Sequence, residues 1–435
     1  MALTRRTFLA SSALAASLTP LGCAAAAPVR RPRAPDQKLR LMVIGVANRG
    51  AANLAGVATE DIRVLCDVDR TQLQAAAQKF PAARTCEDYR TVLADAAACA
   101  ELDGVVISTP DHSHFLPALL ALRAGLDVYC EKPLTLTVGQ ARQLRELAAA
   151  NGCITQMGTQ IHANENYHRV VEAVRAGAVG PVREVVVFVN GTDWSATELP
   201  EVIEPPAHLA WDLWLGAAPE QPCRKGFHPA GWRRYWAFGG GTTADMACHF
   251  VDLAFWALQL DAPTSLRADG TDLHPDCAPA GLRCAYRFAA RGDRPALTLH
   301  WHGGKDRPEA ALAERGLEQW RNGVLFVGDD GWLISDYNRH EIGPAARREA
   351  FVPPAPWLAP TPSHHQEWIA ACKAGTEPSC SFAYSGLLSE AVLLANAAFR
   401  GARGEELAWN AARMATGNPA VDALLHHQAR AGWAG

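Results

Sequence analysis

The sequence predicts a two-domain α/β chain whose first domain is a doubly wound parallel sheet, and three observations carry that prediction. The 435 residues, 49% hydrophobic and 20% charged, can bury a large core and exceed one ordinary domain. Between residues 39 and 130, apolar runs of strand length alternate with helical stretches, the pattern of a parallel sheet joined by crossover helices. From about residue 158 that alternation changes, and a second sheet begins. The expected domains are 38–157 and 158–435.

Composition narrows the function classes. Gly 35 and Pro 28 are near average usage and no low-complexity repeat runs beyond residue 37, which excludes a fibrous or disordered chain. A net charge of -4 argues against nucleic acid as a partner. The 12 cysteines, such as Cys66, Cys130 and Cys153, sit singly in apolar stretches and show no C-x-x-C. They read as buried thiols. With no H-E-x-x-H present, no metal site is expected.

The front of the chain comes first. Thr4-Arg5-Arg6-Thr7-Phe8-Leu9 precedes an Ala/Leu/Ser run to Leu18 and the small residues 24–27, which resembles a bacterial twin-arginine signal peptide. The apolar stretch is too short for a stable membrane span. The expectation is a periplasmic product cut within 1–27, with a lipid anchor through Cys23 as the alternative. Residues 28–37, with Pro28, Pro32 and Pro35, read as an extended linker.

The strand at 39–44 runs into Gly45-Val46-Ala47-Asn48-Arg49-Gly50 and an Ala-rich helix. This resembles the Rossmann fingerprint with Ala at the second glycine. Gly45 permits the tight turn, Ala47 lets backbone approach a pyrophosphate, Gly50 lets helix pack on strand, and the helix N-terminus, with Asn48 and Arg49, faces the phosphates. A second strand, 62–66, ends in Asp67, placed to accept both ribose hydroxyls. NAD is favoured over NADP, although Arg70 leaves NADP open. A helix at 71–80, a strand at 83–85, a helix at 88–97 and strands at 104–108 and 127–130 complete the pattern. Ligands in such sheets lie at the carboxyl ends of strands. Thr109-Pro110-Asp111-His112-Ser113-His114 and Glu131-Lys132-Pro133 follow two of those ends. Thr109, Pro110, His112, His114, Glu131 and Lys132 are therefore expected against the cofactor, with His112 and His114 in a nucleotide-facing loop and helix cap.

The second half opens with a helix at 163–175 and a strand at 182–189, followed by strands at 282–288, 296–301, 323–327 and 331–335. Asp245 and His249, four apart, share one face of a helix. A His can take a hydroxyl proton while hydride leaves the same carbon, tuned by a neighbouring carboxylate or Lys. All 13 Trp lie after residue 193, and aromatic faces suit sugar rings. Trp232, Arg233, Tyr235 and Trp236, just before Gly239-Gly240-Gly241, form the candidate substrate rim, with Gln160, His162 and Tyr167 as weaker candidates.

Gly45-x-Ala47-x-x-Gly50, Thr109-Pro110-x-His112, Glu131-Lys132-Pro133 and Asp245-Met246-Ala247-Cys248-His249 together resemble the glucose-fructose oxidoreductase/inositol dehydrogenase/rhizopine catabolism (Gfo/Idh/MocA) family, across nearly the whole mature chain. Leu407-Ala408-Trp409, Asn418 and Arg430-Ala431-Gly432-Trp433 look like the tail of its exported members. The resemblance implies a Rossmann domain followed by an α/β domain whose open, mostly antiparallel sheet carries substrate over the nicotinamide. It also implies that Lys132, Asp245 and His249 act at the substrate carbinol. The Gly-rich segment of the exported glycosidase branch has no match here, which makes hydrolysis less favoured.

The expected function is a nicotinamide-dependent oxidoreductase acting on a sugar or polyol derivative with retained cofactor. The alternatives are an NAD-dependent glycosidase using transient oxidation and elimination, or a non-catalytic sugar-binding module. A symmetric homo-oligomer is expected on general grounds.

Overall fold

Continuous apolar runs in the first half become fully covered parallel strands. The computed structural model describes residues 32–434; the signal peptide expected at 1–27, Cys23 and the first residues of the expected linker lie outside them. Strands β1 (Arg40–Ile44), β2 (Asp61–Cys66), β3 (Arg84–Cys86), β4 (Gly104–Ile107), β5 (Asp127–Cys130) and β6 (Thr155–Met157) form one sheet in the order β3-β2-β1-β4-β5-β6. All pairings are parallel. β4 and β5 are buried at every position, as strands covered on both faces by helices must be.

Register places the site. Ile44 pairs with Cys66 and with Ile107, Ile107 with Cys130, and Cys130 with Met157. The carboxyl ends of five strands therefore stop on one line, and the loops beginning at Gly45, Asp67, Ser108, Glu131 and Gly158 share one edge. The helix expected at 88–97 is instead two short helices, Arg90–Leu93 and Ala96–Ala100. Asp95 breaks it because its side chain accepts from the Ala97 and Ala98 N–H groups, a cap that starts a new helix.

The second sheet has eight strands in the order β13-β12-β11-β7-β10-β9-β8-β14. These are β7 (Val182–Val189), β8 (Ser265–Gly270), β9 (Gly281–Phe288), β10 (Leu297–Gly304), β11 (Asn322–Gly328), β12 (Trp332–Ser335), β13 (His340–Gly343) and β14 (Glu406–Ala408). Every pairing is antiparallel except β7 with β10. Helices Glu165–Arg175, Gly241–Leu258 and Phe382–Ala402 contribute to one large core with β7 to β11, whereas Leu312, Leu317 and Trp320 cover Val186, Phe188 and Leu325 in a separate cluster.

Helix His364–Ala374 returns to the first sheet: Trp368, Ile369 and Cys372 pack with Val43, Val106 and Tyr129. The described cysteines form no disulfide with one another and are buried except for the half-buried Cys86.

Candidate active site

The glycines of the first loop are required by contact as well as by turn geometry. Gly45 has φ +81°, and a Cβ there would lie 2.6 Å from the Ser108 carbonyl oxygen; a Cβ on Gly50 would lie 2.1 Å from the Gly45 carbonyl oxygen. The resulting cleft is lined by Gly45, Ala47, Asn48, Asp67, Thr109 and Pro110. The second half closes it through Leu213, Trp214, His228 and Pro229. Asp67 accepts from the Val46 N–H through Oδ2 and from the Asp69 N–H through Oδ1, both at 2.9 Å. Burial raises its pKa against those two bonds. Thr109 Oγ1 in the cleft wall is buried without a hydrogen-bond partner. A carboxylate fixed at the ribose position, an orphan hydroxyl and glycines that a Cβ would block fit a dinucleotide. Arg70 donates to Glu87 (2.9 Å) and to the Ala207 carbonyl (2.9 Å), so it is committed away from a 2′-phosphate, and the fit is to NAD. Arg49 is exposed and its charge acts on Glu131 and His249.

At the end of β5, Lys132 Nζ donates to the Asp245 carbonyl oxygen (2.7 Å) and to Asp245 Oδ1 (2.8 Å). Arg233 Nε donates to the same Oδ1 (3.2 Å), and Trp194 Nε1 donates to Oδ2 (2.8 Å). Burial alone would raise the Asp245 pKa; Lys132 and Arg233 outweigh it and hold the carboxylate well below its usual range. Burial opposes the charge on Lys132, and Asp245 overrides that and raises its pKa. His249, one turn along the Gly241–Leu258 helix, is pushed down to about 3 by burial and then by the Lys132 charge. Its ring is neutral, with Nδ1 buried and unpartnered among the described residues. Burial pushes the neighbouring Asp111 up to about 7 against the pull of Arg233 and Lys132. The assembled chemistry is a fixed cation, a permanent anion and a neutral imidazole at one strand end.

The structure brings Lys132 and Arg233 onto Asp245, with His249 one helical turn further on; Arg233, expected in the rim with Trp232, Tyr235 and Trp236, instead pairs with Asp245. Other expectations are corrected. His112 does not face the cofactor: it is buried between Trp214 and Phe238, with ring centroids at 5.1 and 5.0 Å, and shares a 2.9 Å hydrogen bond with the Trp214 carbonyl. His114 is also buried; it holds the N-cap position of helix Phe115–Arg123 but makes no side-chain cap bond, and its nitrogens lie 2.8 and 2.7 Å from the Pro133 and Thr109 carbonyls. Burial pushes that ring down to about 4, so the neutral imidazole has a single N–H and donates it to one of the two carbonyls. Glu131 is turned inward, accepting from Asn53 Nδ2 (2.9 Å) and Gln160 Nε2 (2.6 Å). Gln160 is therefore occupied in bracing Glu131. His162 is fully buried, hydrogen-bonded to both oxygens of Asp252 and stacked on Trp256 at 3.8 Å. Tyr167 is fully buried and donates to the His249 carbonyl (3.2 Å). Trp232, Tyr235 and Trp236 are core residues; Trp232 and Trp236 donate to the Pro229 and His274 carbonyls. Aromatic rings at a chain turn were drawn inward because burying them outweighs a wet rim.

Sequence reasoning missed Trp194, Asp111 and Asn53. Asp111 sits inside a segment already singled out, so its position at a strand end was a usable signal. Trp194 lies 51 residues from Asp245 and carried none. His162, Asp252 and Cys380 bring three donor atoms within 4.8 Å of one another, the group of described residues with ligand spacing for a metal.

Residues 39–159 match the GFO/IDH/MocA oxidoreductase model for an NAD-binding Rossmann fold, and residues 164–306 match its C-terminal alpha/beta domain. The inositol 2-dehydrogenase of Salmonella typhimurium is 25% identical over 175 residues, 39% of this chain and 50% of that protein. The alignment spans about half the length of that relative. Two solved structures share the fold. The WlbA dehydrogenase of Bordetella pertussis in complex with NADH and UDP-GlcNAcA has a TM-score of 0.60 at 18% identity, covering 86% of this chain and 99% of that one. The aldose-aldose oxidoreductase of Caulobacter crescentus complexed with glycerol has a TM-score of 0.59 at 18% identity, covering 86% and 100%.

Proposed function

This chain belongs to the GFO/IDH/MocA oxidoreductase family, and on that premise we propose that it oxidises or reduces a carbinol of a sugar or polyol derivative with NAD. The observation that carries the proposal is the Lys132–Asp245 pair beside a neutral His249 at the end of β5. The relatives point the same way, since their names include an inositol 2-dehydrogenase and an aldose-aldose oxidoreductase.

Gly45, Ala47, Gly50, Asp67 and Thr109 would hold NAD, which when bound supplies the hydride acceptor or donor. Lys132 has two N–H groups on Asp245 and offers the third to the substrate oxygen, where a fixed cation favours developing alkoxide charge. His249 Nε2 takes the hydroxyl proton as alkoxide charge develops at Lys132 and offsets the ammonium that, with burial, otherwise keeps the imidazole unprotonated, and it returns the proton in the reverse direction. Asp245 does not titrate in the working range; with Arg233 and Trp194 it fixes where the ammonium points.

The cofactor is retained through turnover and the protein works in the periplasm. Two features support this. The leader at 4–27 has the pattern of a route for folded proteins, and the 207–229 segment is fastened over the cleft by Arg70 N–H to the His208 carbonyl (2.9 Å) and by His228 to Asp69 (3.2 Å). The test is to denature the exported protein and identify released nucleotide by mass and absorbance, then to assay paired sugars without added cofactor. Stoichiometric NAD(H) and turnover support the reading; empty protein that binds neither NAD nor NADP overturns it.

A further inference from the structure

Away from this site a second cavity of about 560 Å3 opens between the turn before the Gly241–Leu258 helix, the end of the Phe382–Ala402 helix and the tail at 424–428. Trp236 and Tyr235, excluded from the expected rim, face it. Arg400 lines it half-buried, with no carboxylate partner or hydrogen bond among the described residues. Its recorded contact is with the face of Trp236, 5.1 Å from the centroid. Burial lowers the Arg400 pKa with no neighbouring charge to offset it. Two acids line the cavity, Glu220 and Asp276, and Glu220 is paired with Arg430 at 2.9 Å.

Two helices also begin at this cavity, Val138–Asn151 at Thr137 and Gly241–Leu258 at Gly240; neither N-terminus has a side-chain cap among the described residues, and the first is met in part by the Leu425 carbonyl, which accepts from the Gly139 N–H (2.8 Å). Thr137 Oγ1 and Asn396 Oδ1 are buried there without partners, and Asn396 is only 7% exposed. An unpaired guanidinium, two positive helix ends and orphan acceptors in one cavity want an anion that also carries hydroxyl donors.

We propose that this cavity is a second ligand site for a sugar-sized oxyanion, a sugar carboxylate or sugar phosphate, whose anionic group pairs with Arg400 beside the part of Trp236 that lines the cavity. The site is independent of the oxidoreductase reading, because Arg400 touches neither the nucleotide cleft nor Lys132.

Titration calorimetry of the full-length protein with glucuronate, glucose 6-phosphate, inorganic phosphate and glucose tests it. At least one anionic sugar is expected to bind at least about tenfold more tightly than glucose or inorganic phosphate, and comparison of the two says whether carboxylate or phosphate is preferred. Arg400→Gln should weaken that binding about tenfold or more, and Arg400→Lys less, with nucleotide content unchanged. Anionic sugars that bind no better than glucose, or equally to wild type and Arg400→Gln, overturn the proposal. Should Arg400→Gln fail to fold, Arg400→Met against Arg400→Lys gives the same comparison.

Discussion

Lys132 carries its charge because Asp245 is beside it, and that dependence can be read in a pH profile. Lys132→Met removes the cation at the substrate oxygen, so turnover should fall by about 10²- to 10⁴-fold while nucleotide content stays at the wild-type level; unchanged turnover would remove Lys132 from the mechanism. Asp245→Asn leaves the ammonium in place and deletes the anion that raises its pKa. The form of Lys132 that works is protonated, so the alkaline limb of kcat/KM should move to lower pH in Asp245→Asn, and a limb that stays put would assign it to another group. The proposed trio was singled out because Lys132 follows a strand end and Asp245 and His249 lie one helical turn apart, and the family resemblance joined Lys132 to that pair. His112, His114, Glu131 and His162 were misjudged for one physical reason: a buried polar group goes to whichever partner satisfies it. Those partners, the Trp214 and Pro133 carbonyls, Asn53 and Asp252, come from distant parts of the chain.

Helix Arg49–Gly56 meets the sheet through Gly50, whose Cα hydrogen faces the Gly45 carbonyl where a Cβ would lie 2.1 Å away. Both contacting atoms belong to backbone, so Gly50→Ala must move the helix away from the loop at a cost of about 1–3 kcal/mol. The protein should then purify with little bound nucleotide and a lower Tm, measured by absorbance and calorimetry; full nucleotide content would mean the loop tolerates a side chain. Elements of this kind were readable from the sequence, because a buried parallel strand is an apolar run and a glycine-rich turn has a local signature. Strands β6, β8, β13 and β14 were not read. β6 and β14 are three residues long and β8 is Ser-Leu-Arg-Ala-Asp-Gly, so their conformation comes from the neighbours they pair with. Helix His364–Ala374 was equally silent: its Trp368 fills a gap beside Tyr129 and Gly104, more than 200 residues away in sequence.

Five buried histidines are held uncharged, and this sets how the protein responds to acid. Burial pushes His112, His114 and His365 down to about 4 and His249 and His364 down to about 3, whereas an unfolded His titrates near 6.5. Between pH 6.5 and 4 the unfolded chain takes up protons that the native protein refuses, so stability falls as pH falls through that window. Asp111 acts in the opposite sense. Its carboxyl is pushed up to about 7 against about 3.9 when unfolded, so the native state holds a proton there that the unfolded state has lost, and stability gains as pH falls from 7 to 4. Five histidines outweigh it, and the Tm at constant nucleotide content should drop between pH 7 and 5. Asn at position 111 cannot titrate, so Asp111→Asn loses a compensating proton and its Tm should fall more steeply over the same interval. Scanning calorimetry of both proteins from pH 5 to 8 measures the two slopes; a wild-type Tm that is flat or rises toward pH 5 would show that the histidines are not buried neutral, and parallel slopes would show that Asp111 is ionised throughout.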